Sequence, residues 1–256
     1  MPEAGSTEHV GRQAAPGGRP QARSAVLMLA VWRPRHCAWG MLQLIRGPLT
    51  RPTDPAVRWR KVLGSGHNGG FGLRPAWNRL GLFCAFDTPE SAQRWLNTSR
   101  EVTDWRSRAA HWLTVLLEPT ASRGSWSGHA LAPLEAATRG QGLVASLTRA
   151  SIHPRQARRF WSLSPAAEHA LAQAPGCRLA VGLGEAPLLR QATFSLWQDQ
   201  SSMDAYARSG AHLEAIRQAY SQGFFSESMF TRFRVLELAG DWPGIDTPHP
   251  AQAEHA

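Results

Sequence analysis

Ten histidines are spread along the chain without an HExxH pair, a CxxC step or a clustered set of carboxylates. Dispersed imidazoles suit at most one axial ligand to a cofactor that brings its own coordination, such as haem iron. Helical angles at ~100° per residue sort the candidates on the segment 203–220. With Met203 at zero, Tyr206, Leu213, Ile216 and Tyr220 fall between about 220° and about 300° and together with Met203 form an apolar stripe. His212, at about 180°, borders that stripe, where an imidazole either enters a pocket or serves as an ordinary boundary residue. Arg217, at about 320°, lies inside the stripe, and a buried guanidinium there needs a protein carboxylate or an anionic ligand group. Gly210 is a potential interruption of this helix.

A second candidate is the Gly-rich segment GSGHNGGF, 64–71. It lacks the Lys-Ser/Thr of a phosphate loop and does not open a helix as a dinucleotide fingerprint does. Two readings stand: a long hairpin connection, or a loop over a pocket mouth with His67 and Asn68 as its polar groups. No GxSxG or Ser-His-Asp signature supports hydrolysis. Eleven tryptophans provide aromatic walls for a core or for an apolar ligand.

The elements that must position these residues alternate between strand and helix patterns. Strands are predicted at 25–32, 59–63, 77–86 and 111–117, and helices at 36–46 and 88–109, the latter with Thr88 as N-cap, Pro89 at its first position and a break near Asn97. The second half repeats the order: strand 142–149, helix 154–172, strands 177–183 and 190–197, helix 199–220 and strand 229–238. The Gly-x-Gly at 64–66 answers that at 182–184, and Trp126-Ser-Gly answers Trp242-Pro-Gly, at a near-constant offset. The expected fold is α+β: two tandem ferredoxin-like β-α-β-β-α-β units whose sheets cover each other as a pseudo-dimeric α/β barrel. Its expected divisions are a basic tail, 1–24; a first half, 25–128; a linker, 129–141; a second half, 142–246; and a closing tail, 247–256.

The 256 residues carry a net charge of +9, and the first 60 hold nine arginines against three acids. The basic residues form no stripe or reading motif for nucleic acid, so an anionic membrane surface or an acidic protein is the expected partner, and no nucleic acid. Three cysteines without ligand spacing suit buried thiols in a reducing cytoplasm. The longest apolar run, Ala25–Trp32, is too short to span a bilayer, and Arg33 and Arg35 stand where an export cleavage site would be expected.

The stretches RWRKVLGSGHNGGFGLRPAWN (58–78), LLEPTASRGSWSG (116–128), LTRASIHP (147–154) with Phe160-Trp161, VGLGEAPLLRQATFSLWQD (181–199) and GAHLEAIRQAYSQGFFSESMFTRFRVLELAGDWPG (210–244) resemble the spheroidene monooxygenase family of carotenoid biosynthesis over about residues 25–246. The resemblance implies a haem (iron) enzyme that takes electrons from reduced ferredoxin and uses O2 to oxygenate an acyclic carotenoid at C-2, giving a keto product through successive hydroxylations. It points to His212 as the haem ligand and to Arg217 for a propionate or distal role. Arg149 and Gln191, in predicted strands, are either pocket groups that orient bound oxygen or the propionates, or ladder-flanking surface residues. The resemblance also implies a cytoplasmic protein, peripheral on the inner membrane where its substrate dissolves. The alternative is a haem- or carotenoid-binding barrel protein without turnover.

Overall fold

The computed structural model describes residues 21–70, 74–133, 142–186, 189–208, 210, 214, 217 and 222–247. Among these the chain runs β1 (Ser24–Trp32), α1 (Cys37–Arg46), β2 (Trp59–Gly66), β3 (Pro75–Phe86), α2 (Pro89–Thr98), α3 (Arg100–Arg108) and β4 (Ala109–Gly124). It continues with β5 (Val144–Ile152), α4 (Ala157–Ala172), β6 (Cys177–Ala186), β7 (Arg190–Trp197), α5 (Gln200–Ala207) and β8 (Phe225–Gly240). The predicted break near Asn97 falls at Ser99, whose side chain leaves the first helix and accepts the Glu101 N–H to cap the next. Thr88 and Ser91 form a reciprocal capping box around Pro89.

The strands close into an antiparallel barrel in the order β4-β1-β3-β2-β6-β7-β5-β8, with β8 returning to β4. Each half contributes its strands as fourth, first, third, second, so each central pair is flanked on both sides. One seam is the long β4–β8 ladder, from Leu113 opposite Gly240 to Gly124 opposite Met229. The other is short, Gly64 opposite Gly184 and Ser65 opposite Leu183, with the Ser65 hydroxyl donating to the Gly182 carbonyl at 2.9 Å. The two Gly-x-Gly motifs therefore meet across this seam. The matching Trp126 and Trp242 follow β4 and β8 and are buried at opposite ends of that ladder.

Alternation along each strand sends one set of side chains inward. Leu27, Leu29, Phe83, Val115, Leu147 and Phe194 fill the barrel, and Trp59, Phe83 and Trp126 pack ring to ring near one end. The other set lies on the outer face of the sheet. In the first half Val26, Met28, Leu82 and Phe86 pack under Trp95, Leu96, Val102 and Trp105 of α2 and α3. In the second half, among the described residues, Val144, Leu171, Trp197 and Met203 form a buried apolar cluster outside the sheet, at one end of it. The three cysteines are unpaired, and burial pushes the Cys84 thiol well up, which leaves it inert.

Candidate functional site

Inside the barrel a charged cluster closes the end that holds Trp126. Arg149 is 2% exposed and donates through Nη1 to Glu227 at 2.5 Å and through Nη2 to Glu185 at 3.2 Å. Glu185 also accepts from Lys61 at 2.8 Å and from the Trp126 indole N–H at 2.9 Å. Glu227 accepts from the Ser125 hydroxyl and the Gly128 N–H, which ties the loop after β4 to β8. Burial works to raise both carboxyls, but donors outweigh it. For Glu227 these are the Gly128 N–H, Ser125, Ser127 and Arg149, and they hold its carboxyl at about 2. For Glu185 the Lys61 and Trp126 hydrogen bonds and the charges of Lys61 and Arg149 hold it below the ordinary value.

The sign of the resulting pH dependence follows from linkage. A carboxyl depressed in the folded state contributes stability that is complete above its unfolded value and is lost as pH falls through its folded one. Melting temperature is therefore expected to fall progressively between about pH 5 and about pH 2, and Glu227→Gln is expected to flatten that slope. Thermal melts at stepped pH check this; an unchanged slope in the variant would assign the acid sensitivity elsewhere.

The second feature is the outer face of the sheet in the second half, beneath its helices. Thr148 is in mid-β5, paired with β7 on one side and β8 on the other, yet it is exposed. Its neighbour across β7 is Thr193, and across β8 Phe230. The adjoining positions are Gly182 and Gly184 on β6, Ala150 on β5 and Gln191 on β7. On a rise of ~3.3 Å per residue and a strand spacing of ~4.8 Å, this low floor spans about 7 Å along the strands and about 10 Å across β6, β7 and β5. The Thr148 and Thr193 hydroxyls and the Gln191 amide have no hydrogen-bond partner among the described residues, whereas farther along Ser146 and Ser195 bond each other at 2.9 Å and Ser195 accepts from Trp197 Nε1. Aromatic rings stand at one end, where Phe160 of α4 meets Phe225 edge-on at 6.1 Å and Trp161 at 5.4 Å. Small side chains, free polar groups and aromatic borders make a surface suited to a broad ligand.

No family model matches the chain. It is 46% identical over 224 residues to the spheroidene monooxygenase of Rubrivivax gelatinosus, spanning 86% of this chain and 84% of that one. The chain belongs to the spheroidene monooxygenase family. Proteins of the same name from Rhodobacter capsulatus (35% identical, 81% of this chain and 88% of that one) and Cereibacter sphaeroides (32%, 84% and 69%) agree. Two solved structures of aldoxime dehydratase superpose with TM-scores of 0.54 and 0.53 at 12% and 10% identity, covering 86% and 88% of this chain and 83% and 86% of theirs. That likeness bears on the fold alone.

In this spheroidene monooxygenase family member the sequence-predicted residues are dispersed. Arg149 and Gln191 occupy adjacent strands one residue out of register, so Arg149 points into the barrel and Gln191 onto the outer floor. Both Nη groups of Arg149 are taken by carboxylates. Arg217 is exposed, not in a buried stripe: α5 ends with Arg208 as its C-cap and Gly210 has φ +60°, so angles counted from Met203 do not carry past it. His212 lies outside the described residues. His67 is exposed on the 3-10 turn His67–Gly69, which also contains Asn68. That turn covers the other barrel end, where Gly69 (φ +82°) leaves room for Arg79, whose guanidinium lies 5.3 Å from the Trp242 ring centre. Thr148 and Thr193 were not singled out from the sequence. Their signal was present as alternation, since Ser146-Leu-Thr-Arg-Ala and Gln191-Ala-Thr-Phe-Ser place polar or small residues at every second position.

Proposed function

We propose that this protein is a haem-dependent monooxygenase that uses O2 and electrons from reduced ferredoxin to oxygenate an acyclic, spheroidene-like carotenoid at C-2, giving a keto carotenoid. Family membership over most of both chains carries this reading. The floor around Thr148 supports it physically: a central strand position open to the helix side leaves room for a flat group, and the described residues around it fit one. We assign haem to this face, where His212 would hold its iron and Arg217 would pair with a propionate. Bound haem would supply reductive activation of O2. The chain's own part is to seat and orient. Gly182, Gly184 and Ala150 keep the floor low; Thr148 and Thr193 offer hydroxyl donors and Gln191 an amide to the polar parts of what binds; and Phe160, Trp161 and Phe230 give apolar rings that exclude water from a polyene. His67 and Asn68 are assigned to cofactor binding as the polar groups of the Gly-rich loop read as lying over a pocket mouth. The same reading takes the barrel as a pseudo-dimer of tandem ferredoxin-like units, supported by the two Gly-x-Gly motifs meeting at one seam.

The test is turnover of spheroidene by the purified protein with O2, ferredoxin, its reductase and NADPH, read by mass spectrometry. Product heavier than substrate by one oxygen, and then the keto product, is expected. Haem-loaded protein that binds carotenoid without any oxygenated product would replace this reading with that of a binding protein.

A further inference from the structure

We propose that α1 and the turn after it form a docking surface for an anionic lipid bilayer. Large apolar side chains are exposed at Leu42 (37%), Ile45 (64%) and Leu49 (83%). Spacings of three and four place them along one side of α1 and the 3-10 turn Gly47–Leu49 that extends it. The opposite side of the helix meets the sheet: Gly40 lies against the Trp32 ring, and Leu44 lies over Gly64 of β2. This is an amphipathic element whose apolar edge faces away from the protein.

Charge around that edge selects the occupant. From Arg33 to Thr53 the chain has Arg33, Arg35, Arg46 and Arg51 and no acidic residue. All four are exposed, and none has a carboxylate partner among the described residues. Arg33 donates to the Ser107 carbonyl and Arg35 to the His36 ring. Arg58, Arg232 and Arg234 are ion-paired with Asp87, Asp204 and Glu118, while Arg94, Arg155, Arg158, Arg159 and Arg190 are exposed without a carboxylate partner among the described residues; what sets this edge apart is that its unpaired arginines flank exposed large apolar side chains. Protruding leucine and isoleucine side chains ringed by unpaired arginines match the two signals that hold a protein on a membrane surface: apolar insertion into the headgroup–acyl boundary and attraction to anionic lipid. Among the described residues no helix is long and apolar enough to cross a membrane, so the contact is of the interfacial kind. The strand under α1, β2, adjoins β6, which carries Gly182 and Gly184 of the open floor. A lipid-dissolved substrate would thus be delivered beside the site; this last link rests on the carotenoid reading above, while the surface itself does not.

Cosedimentation of the full chain with vesicles tests the surface. Binding is expected to phosphatidylcholine–phosphatidylglycerol vesicles, to weaken with added salt and to be far lower on phosphatidylcholine alone. Ile45→Asp/Leu49→Asp and, separately, Arg46→Glu/Arg51→Glu are each expected to lower partitioning by about tenfold or more with unchanged circular dichroism. Should the double aspartate variant fold poorly, Leu49→Ser, at the most exposed position, gives the same direction. Equal binding by the variants, equal binding to both vesicle types, or capture of an acidic protein without vesicle binding would each overturn the proposal. Vesicle binding without carotenoid turnover leaves it standing and removes the functional reading; turnover of detergent-dispersed carotenoid without vesicle binding does the reverse.

Discussion

Arg149→Leu is expected to destabilise the protein by about 3 to 5 kcal/mol, enough to leave it marginally folded at room temperature. The magnitude follows from what is stranded. Arg149 is 2% exposed and holds Glu185 and Glu227 from two different strands, and both carboxyls sit below their ordinary values in the intact cluster. Removing the guanidinium leaves Glu185 with Lys61 and Trp126, but Glu227 keeps only neutral donors beside a second carboxylate. The double variant Arg149→Leu/Glu227→Gln, which also removes the stranded charge, is expected to recover part of the loss. Urea unfolding of the three variants checks the cycle. If Arg149→Leu cost under about 1 kcal/mol, the cluster would be a solvated surface network, contrary to its burial.

Thr148→Trp is expected to do the opposite: to spare the fold and remove function. Thr148 is exposed on the outer floor, so an indole there displaces no packed side chain, and the melting temperature is expected to move little. The same indole spreads over Thr193 and toward Phe230 and occupies the space assigned to cofactor and substrate. Turnover is expected to fall at least about a hundredfold, as for loss of a correctly seated reacting geometry. Met28→Trp provides the contrast, because Met28 lies at 0% exposure under the first-half helices and has no room to grow. Full turnover in folded Thr148→Trp would move the site off this face.

The order of elements was legible because it rests on local signals. Thr88-Pro89 marked a helix start, and the polar stretch around Asn97 marked a break that the structure realises at Ser99. The Gly-x-Gly and Trp-x-Gly echoes led to the expectation of a repeated arrangement, though not that the first pair would meet face to face at a seam. Strand neighbours in a closed barrel are set by long-range pairing, which one sequence does not encode locally. Side-chain direction was legible only as parity: Arg149 and Gln191 both lay in predicted strands, and only the register, with Arg149 opposite Ala192, shows that they face opposite ways. The angle placing Arg217 in a buried stripe failed because α5 ends at Ala207 with Arg208 as its cap, followed by Gly210 with its positive φ. The floor at Thr148 escaped notice because it is defined by what is small, and residue-type searches find what is reactive.

The most direct test of the central claim is the absorption spectrum of protein purified from cells supplied with a haem precursor, oxidised and then dithionite-reduced under carbon monoxide, wild type beside His212→Ala. The account predicts a haem band in the wild type that is lost or shifted in the variant; protein without a haem band from haem-replete cells would contradict it.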